Sequence, residues 1–145
     1  MEKREEPSVQ KYSSAPPARK SVLVIDDNDD LLALLRTVLE IDDYEVFTAH
    51  GASEALKTLS EISKPDLIFL DVQMDDVTGP DFLLTLEEKM PAVVKEVPVV
   101  FLTGWDEVPK SKAVGFIRKP IDIDSFLKAT QRFIESGTGY TRCEH

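Results

Sequence analysis

Two uninterrupted apolar runs, Val22-Leu23-Val24-Ile25 and Leu67-Ile68-Phe69-Leu70, each stop abruptly at aspartate, the first at Asp26-Asp27 and the second at Asp71. A strand with one face in water alternates apolar and polar residues, whereas a strand with no polar position is buried on both faces. Such strands belong to parallel sheets covered by helices on each side. The intervening segments agree. Leu31, Leu34, Leu35, Val38 and Leu39 recur at helical spacing, with Asn28 or Asp29 available as cap. Tyr44 to Thr48 reads as a second strand, and Ser53 to Ile62 as a second helix with Ala55, Leu56, Leu59 and Ile62 in one stripe. Phe82, Leu83 and Leu86 mark a third helix, with Pro80 in its first turn. Val97 to Leu102 predicts a fourth strand, Val114 to Ile117 a short fifth, and Ile121 to Ile134 a last helix that turns Phe126, Leu127, Thr130 and Ile134 inward. Strands joined by right-handed helical crossovers make one open, doubly wound α/β domain over residues 21–136.

A chain of 145 residues suits one such domain. Its formal net charge of -10 works against broad attraction to phosphate backbones or anionic lipid, so no direct nucleic-acid partner is expected. The charge is uneven. Residues 1–20 carry five basic residues against three acids, which leaves -12 for the remainder. Pro7, Pro16, Pro17 and several serines make residues 1–20 a flexible N-terminal arm, and 137–145 a C-terminal tail. No apolar stretch approaches the ~18 residues that span a bilayer, and no signal-peptide pattern follows Met1. The expectation is a cytoplasmic protein with no membrane insertion. Cys143 has no partner in the chain, which excludes an internal disulfide and a cysteine-based zinc site.

In an open α/β sheet, ligands collect at the carboxyl ends of the strands. Those ends here carry Asp26, Asp27, Asp71 and Thr103, and the fifth strand leads into Lys119-Pro120. If the first and third strands are neighbours, three carboxylates converge, and their repulsion calls for a cation. Oxygen donors without a nearby histidine or cysteine favour a hard ion, and Mg²⁺ is typically held by one or two carboxylates plus a phosphate oxygen. Phosphoryl transfer onto a carboxylate then finds its parts: Asp71 as nucleophile, Mg²⁺ and Lys119 as positive charge, Thr103 as hydroxyl donor. Each part has an ordinary alternative. The run Asp26-Asp27-Asn28-Asp29-Asp30 suits a helix N-terminus, Asp71 a turn, Lys119 a solvated surface, and Thr103 a strand. A calcium loop starting at Asp26 fails, because its sixth position is Leu31 rather than glycine and its twelfth is Thr37 rather than glutamate.

Val22 to Asp27, Leu67 to Met74 with Gly79, Val99 to Gly104, and Gly115 to Pro120 together resemble the receiver domain of two-component response regulators. The resemblance spans about residues 21–136 and implies a flavodoxin-like five-stranded parallel sheet of order 2-1-3-4-5. It implies phosphorylation of Asp71 by a sensor histidine kinase or a histidine phosphotransfer protein. It also implies Mg²⁺ bound by Asp27, Asp71 and the backbone carbonyl of Gln73, with Asp26 acting largely through water. Lys119 and Thr103 would bind the phosphoryl group, and Thr103 and Phe116 would form a switch pair. Phe116 lacks the hydroxyl of the tyrosine often found there, so its part in a switch is steric; its alternative is a plain core residue. By the same analogy Lys119-Pro120 would be joined by a cis peptide.

Two departures stand out. Asp75, followed by Asp76, occupies a place where the family usually has proline. Only 15 residues separate Thr103 from Lys119, so helix 4 is expected to be shortened or missing and Gly104 to Lys112 to form a loop. Trp105 would fill the space of that helix or cover the mouth of the site. The side chain of Gln73 lies where water would approach an acyl phosphate and is expected to tune its lifetime. The leading reading is a single-domain receiver that signals to an unknown downstream protein by contact and is not an enzyme in its own right. The alternative is a degenerate receiver acting as a phosphorylation-independent binding module. An aspartyl-phosphate phosphatase would need a second aspartate at position 73, where Gln73 stands. A flavin phosphate would meet acids where it requires N–H groups.

Overall fold

The structure is a computed structural model that describes residues 19–104 and 111–136. Five strands, β1 (Ser21–Ile25), β2 (Glu45–Ala49), β3 (Leu67–Asp71), β4 (Val99–Thr103) and β5 (Gly115–Arg118), alternate with α1 (Asp29–Ile41), α2 (Ala52–Glu61), α3 (Gly79–Lys89), α4 (Pro91–Glu96) and α5 (Ile123–Ser136). All strand pairs are parallel and the order is β2-β1-β3-β4-β5, the order 2-1-3-4-5 of a flavodoxin-like sheet. The chain reverses its direction of growth between β1 and β3, which opens a crevice at their carboxyl ends.

Side-chain alternation divides the core into two layers. Val22, Val24, Phe69, Val100 and Leu102 face α1 and α5, where they meet Leu32, Leu35, Leu39 and Phe126. The rings of Phe69 and Phe126 lie 4.8 Å apart. Leu23, Ile25, Ile68, Leu70 and Phe101 face α2, α3 and α4. The residues of β3 and β4 are buried throughout, as their unbroken apolar runs require, while the edge strands β2 and β5 are partly exposed.

Several expectations are corrected. The fourth strand begins at Val99 rather than Val97, because residues 91–96 form a short additional helix. Val97 caps the end of that helix and is buried, so an apolar residue close to Val99 and Val100 reads as part of their run. Pro91 starts this helix just after α3 ends at Lys89, with Met90 as the cap between them. Two helices therefore join β3 to β4. Among the described residues none lies between β4 and β5; the expected loop at Gly104 to Lys112 and the placement of Trp105 fall largely outside those residues, as do the arm and the tail. Leu34, expected on the inner stripe, is 46% exposed. Leu32 takes its place beside Leu35 and Leu39, since the leucines of α1 form two interleaved stripes and only one can face the sheet. The last helix starts at Ile123, with Asp122 accepting from the Ser125 N–H at 2.9 Å. No helix among the described residues is long and apolar enough to cross a membrane.

Candidate functional site

The acidic run after β1 is divided between two tasks. Asn28 caps α1, its side chain accepting from the Leu31 N–H at 3.0 Å, and Asp29 and Asp30 occupy the first turn, where the helix dipole favours anions. The preceding pair turns the other way. Asp26 is fully buried and Asp27 partly so, and with Asp71 at the end of β3 they bring carboxylate oxygens within 4.8 Å of one another. The pairing of β1 with β3 imposes this convergence, because Ile25 lies beside Leu70 and the residues that follow emerge at one level.

Lys119 closes the group from the far side of the sheet. Its backbone N–H donates to the Thr103 carbonyl at 2.7 Å, and its Nζ lies 3.0 Å from Asp26 Oδ2 and 3.3 Å from Asp71 Oδ1. The Lys119–Pro120 peptide is cis. Thr103 is buried at the end of β4, and Phe116 pairs with Phe101 two residues earlier, so Thr103 and Phe116 share one face of the sheet. The Phe116 ring is 47% exposed, which removes the core-residue alternative.

Burial pushes the Asp71 carboxyl up, and the charge of Asp26 adds to it; Lys119 and the Gln73 N–H pull the other way, and the result is a pKa of about 6. Burial also opposes the charge on Lys119, but the hydrogen bond and charge of Asp26, joined by Asp71, outweigh it and hold the ammonium above the ordinary lysine value. Three carboxylates facing one lysine leave an excess of negative charge that hard oxygen donors can offer to a divalent cation. The donor set fits Mg²⁺.

The loop between β3 and α3 forms the rim. Gln73 is exposed two residues beyond Asp71, and its N–H donates to Asp71 Oδ1 at 3.3 Å. The Asp75 N–H donates to Asp27 Oδ2 at 2.9 Å, and Asp76 Oδ2 accepts from the Ala52 N–H at 3.0 Å. Gly79 brings the loop back against β3: a Cβ there would sit 2.7 Å from the Asp71 carbonyl oxygen and 2.9 Å from Val72 Cα. Its N–H donates to the Val72 carbonyl at 2.7 Å. The charged members of the site were readable as strand-end residues. The backbone N–H of Asn28, which donates to Asp26 Oδ1 at 2.9 Å, and that of Asp75 were not, because every residue but proline carries an N–H and only the folded loop shows where it points.

The family model described as "Response regulator receiver domain" matches residues 22–131. Curated relatives include the transcriptional regulatory protein GlrR of Escherichia coli strain K12, 29% identical over 83% of this chain and 27% of that protein. The polar-differentiation response regulator DivK of Brucella anthropi is 26% identical over 79% of this chain and 96% of its own length. The chain thus spans about a quarter of the larger regulator and nearly all of DivK. Among solved structures, Vibrio cholerae chemotaxis protein CheY4 superposes with a TM-score of 0.71 at 30% identity, covering 80% of this chain and 99% of that one. Thermotoga maritima response regulator TrrA, solved in complex with Mg²⁺-BeF, has a TM-score of 0.67 at 24% identity, covering 79% and 98%.

Proposed function

Because this chain belongs to the response regulator receiver domain family, a family of signalling modules, we propose that Asp71 accepts a phosphoryl group from a histidine kinase or histidine phosphotransfer protein. The observation that carries the reading is the placement of Lys119 Nζ 3.3 Å from Asp71 beside two further carboxylates. A lysine in that position pairs with a carboxylate now and with phosphoryl oxygens after transfer. Asp27, Asp71 and the Gln73 carbonyl would hold Mg²⁺ and Asp26 would act through water; the ion, when bound, supplies positive charge to the transferring group.

In the transfer, an oxygen of ionised Asp71 forms the new P–O bond as the P–N bond of the donor phosphohistidine breaks, its electron pair leaving on the imidazole nitrogen, which becomes protonated. Asp71 must give up its own proton first; burial and Asp26 push its carboxyl up to about 6 in the metal-free site, and the ionised form that accepts the group would be favoured by a divalent cation beside it. The Thr103 hydroxyl then donates to the modified group, and the space opened on its face of the sheet admits the Phe116 ring from its exposed position. Signalling follows by protein contact on that altered face. Residues 21–136 carry all of these parts.

Incubation with Mg²⁺ and acetyl phosphate tests the reading, with intact-mass analysis as readout. The expected result is one phosphoryl adduct on the wild type, absent from Asp71→Asn and lost on hydroxylamine treatment. An unmodified wild type would leave the phosphorylation-independent binding module, and continuous hydrolysis of unrelated phosphate esters would indicate a phosphatase.

A further inference from the structure

Residues 75 and 76 form hydrogen bonds in opposite directions. The Asp75 N–H reaches Asp27 Oδ2 at 2.9 Å, toward the acidic site. The adjacent Asp76 carboxylate reaches the Ala52 N–H at 3.0 Å, away from the site, at the first turn of α2. That helix needs an outside acceptor: its N-cap residue is Gly51, which has no side chain to supply one. A Cβ on Gly51 would lie 3.0 Å from Asp76 Oδ2, so the carboxylate is seated directly over the helix end. The N–H of His50, just before the cap, is taken by Glu54 Oε1 at 2.9 Å. Asp76 therefore complements the local capping of α2 and fastens the β3–α3 loop to it.

The two bonds act in series. A carboxylate with both oxygens free rotates, and one hydrogen-bonded through a single oxygen presents the other in a fixed direction. The Asp75 N–H fixes Asp27 in that way only as far as the loop itself is held, and Asp76 holds it. We propose that the Asp75 backbone N–H and the Asp76 carboxylate are positioning groups that orient Asp27 for a divalent cation, anchored on the N-terminus of α2. The inference rests on the reading of Asp26, Asp27 and Asp71 as the Mg²⁺ site. A proline at 75, the family's usual residue, has no N–H to give, so the device belongs to this chain's own departure from the pattern.

Mg²⁺ titration of the full, unphosphorylated chain by calorimetry tests it with two matched pairs. Asp75→Ala and Asp75→Pro remove the same charge, and only alanine keeps the N–H; the proline variant is expected to bind Mg²⁺ about 10-fold more weakly than the alanine variant. Asp76→Asn and Asp76→Ala also remove the same charge, and only asparagine keeps an acceptor for Ala52; alanine is expected to bind about 3-fold more weakly and to exchange the Ala52 amide faster. The second pair leaves every backbone amide in place, so it carries the test by itself if the proline variant does not fold. Wild-type binding with equal affinities within each pair overturns the inference and leaves the metal site standing. Absence of wild-type binding that depends on Asp71 overturns the metal site, and the inference with it.

Discussion

The carboxylates at the ends of β1 and β3 and those of the neighbouring β3–α3 loop are the same chemical groups in the same corner of the molecule, and the fold uses them differently. Asp76 is exposed and bonded to a backbone N–H at a helix end, an ordinary capping arrangement. Asp26 and Asp71 are buried against each other, close to Asp27 and to the Lys119 ammonium. Capping acids are satisfied where they stand. The strand-end acids are held in mutual repulsion, and that unspent repulsion is what a cation and a phosphoryl group can relieve. The difference shows why acidity alone does not mark a site: burial and the direction of the available donors decide it.

Separating the two regions physically is the strongest way to break this contrast. Gly79 lets the loop lie on the backbone of β3, with no room for a methyl group against the Asp71 carbonyl or Val72 Cα. Both obstacles are main chain and cannot swing aside. Gly79→Ala is expected to cost about 3 kcal/mol in urea denaturation, at the upper end of overpacking penalties. It should also weaken Mg²⁺ binding, since Asp75 and Gln73 move with the loop. A cost below about 1 kcal/mol would mean that the loop and β3 are not rigidly joined.

A smaller effect sharpens the electrostatic half of the comparison. Asp71 has a folded pKa of about 6 against an ordinary value of 3.8. A carboxyl with a raised folded pKa binds its proton more tightly in the native state, so its contribution to stability is present below about pH 4 and lost as pH rises through about 6. Asp71→Asn removes that loss. In metal-free buffer at pH 7.5 the variant should be more stable than wild type by on the order of 2 kcal/mol, and the gain should fade toward pH 4. Added Mg²⁺ should narrow the gap by stabilising wild type alone. A variant no more stable than wild type at pH 7.5 would mean that the strand-end acids are as comfortable as the capping ones.

Legibility in the sequence followed the same division. The parallel sheet and the strand-end acids could be anticipated because β1, β3 and β4 are apolar runs with one meaning, and the first polar residue after each must surface at the carboxyl edge, while the strand order came from the resemblance to receiver domains. Asp26, Asp27, Asp71 and Thr103 were found in this way, and Lys119 as the residue into which the fifth strand leads. Where local pattern had two meanings, reading failed: Val97, the residue that caps the end of α4, looked like the start of β4, and Leu34 belonged to a second stripe on α1. Bonds made by main-chain groups left no trace, and so the Asp75 donor and the fastening of α2 by Asp76 emerge only from the fold.

The turn between α1 and β2 supplies a control for the whole contrast, since it too holds an aspartate against its preference, but by backbone conformation rather than charge. Asp43 has φ 74°, in the left-handed region. Its N–H donates to the Glu40 carbonyl and the Tyr44 N–H to the Leu39 carbonyl, both at 3.0 Å. This is the Schellman pattern, in which the residue after the cap is usually glycine. Asp43 also places a negative charge at the negative end of the helix dipole. Asp43→Gly should therefore stabilise the protein by about 1 kcal/mol, the relief of the left-handed backbone and the dipole exceeding the added freedom of the unfolded chain. Unlike Asp71→Asn, it should leave Mg²⁺ affinity and acetyl phosphate modification unchanged, because Asp43 belongs to neither the acidic cluster nor its rim. Equal loss of metal binding in both variants would show that stability and site are coupled through the whole domain, and that the strand-end acids are not a separable store of repulsion.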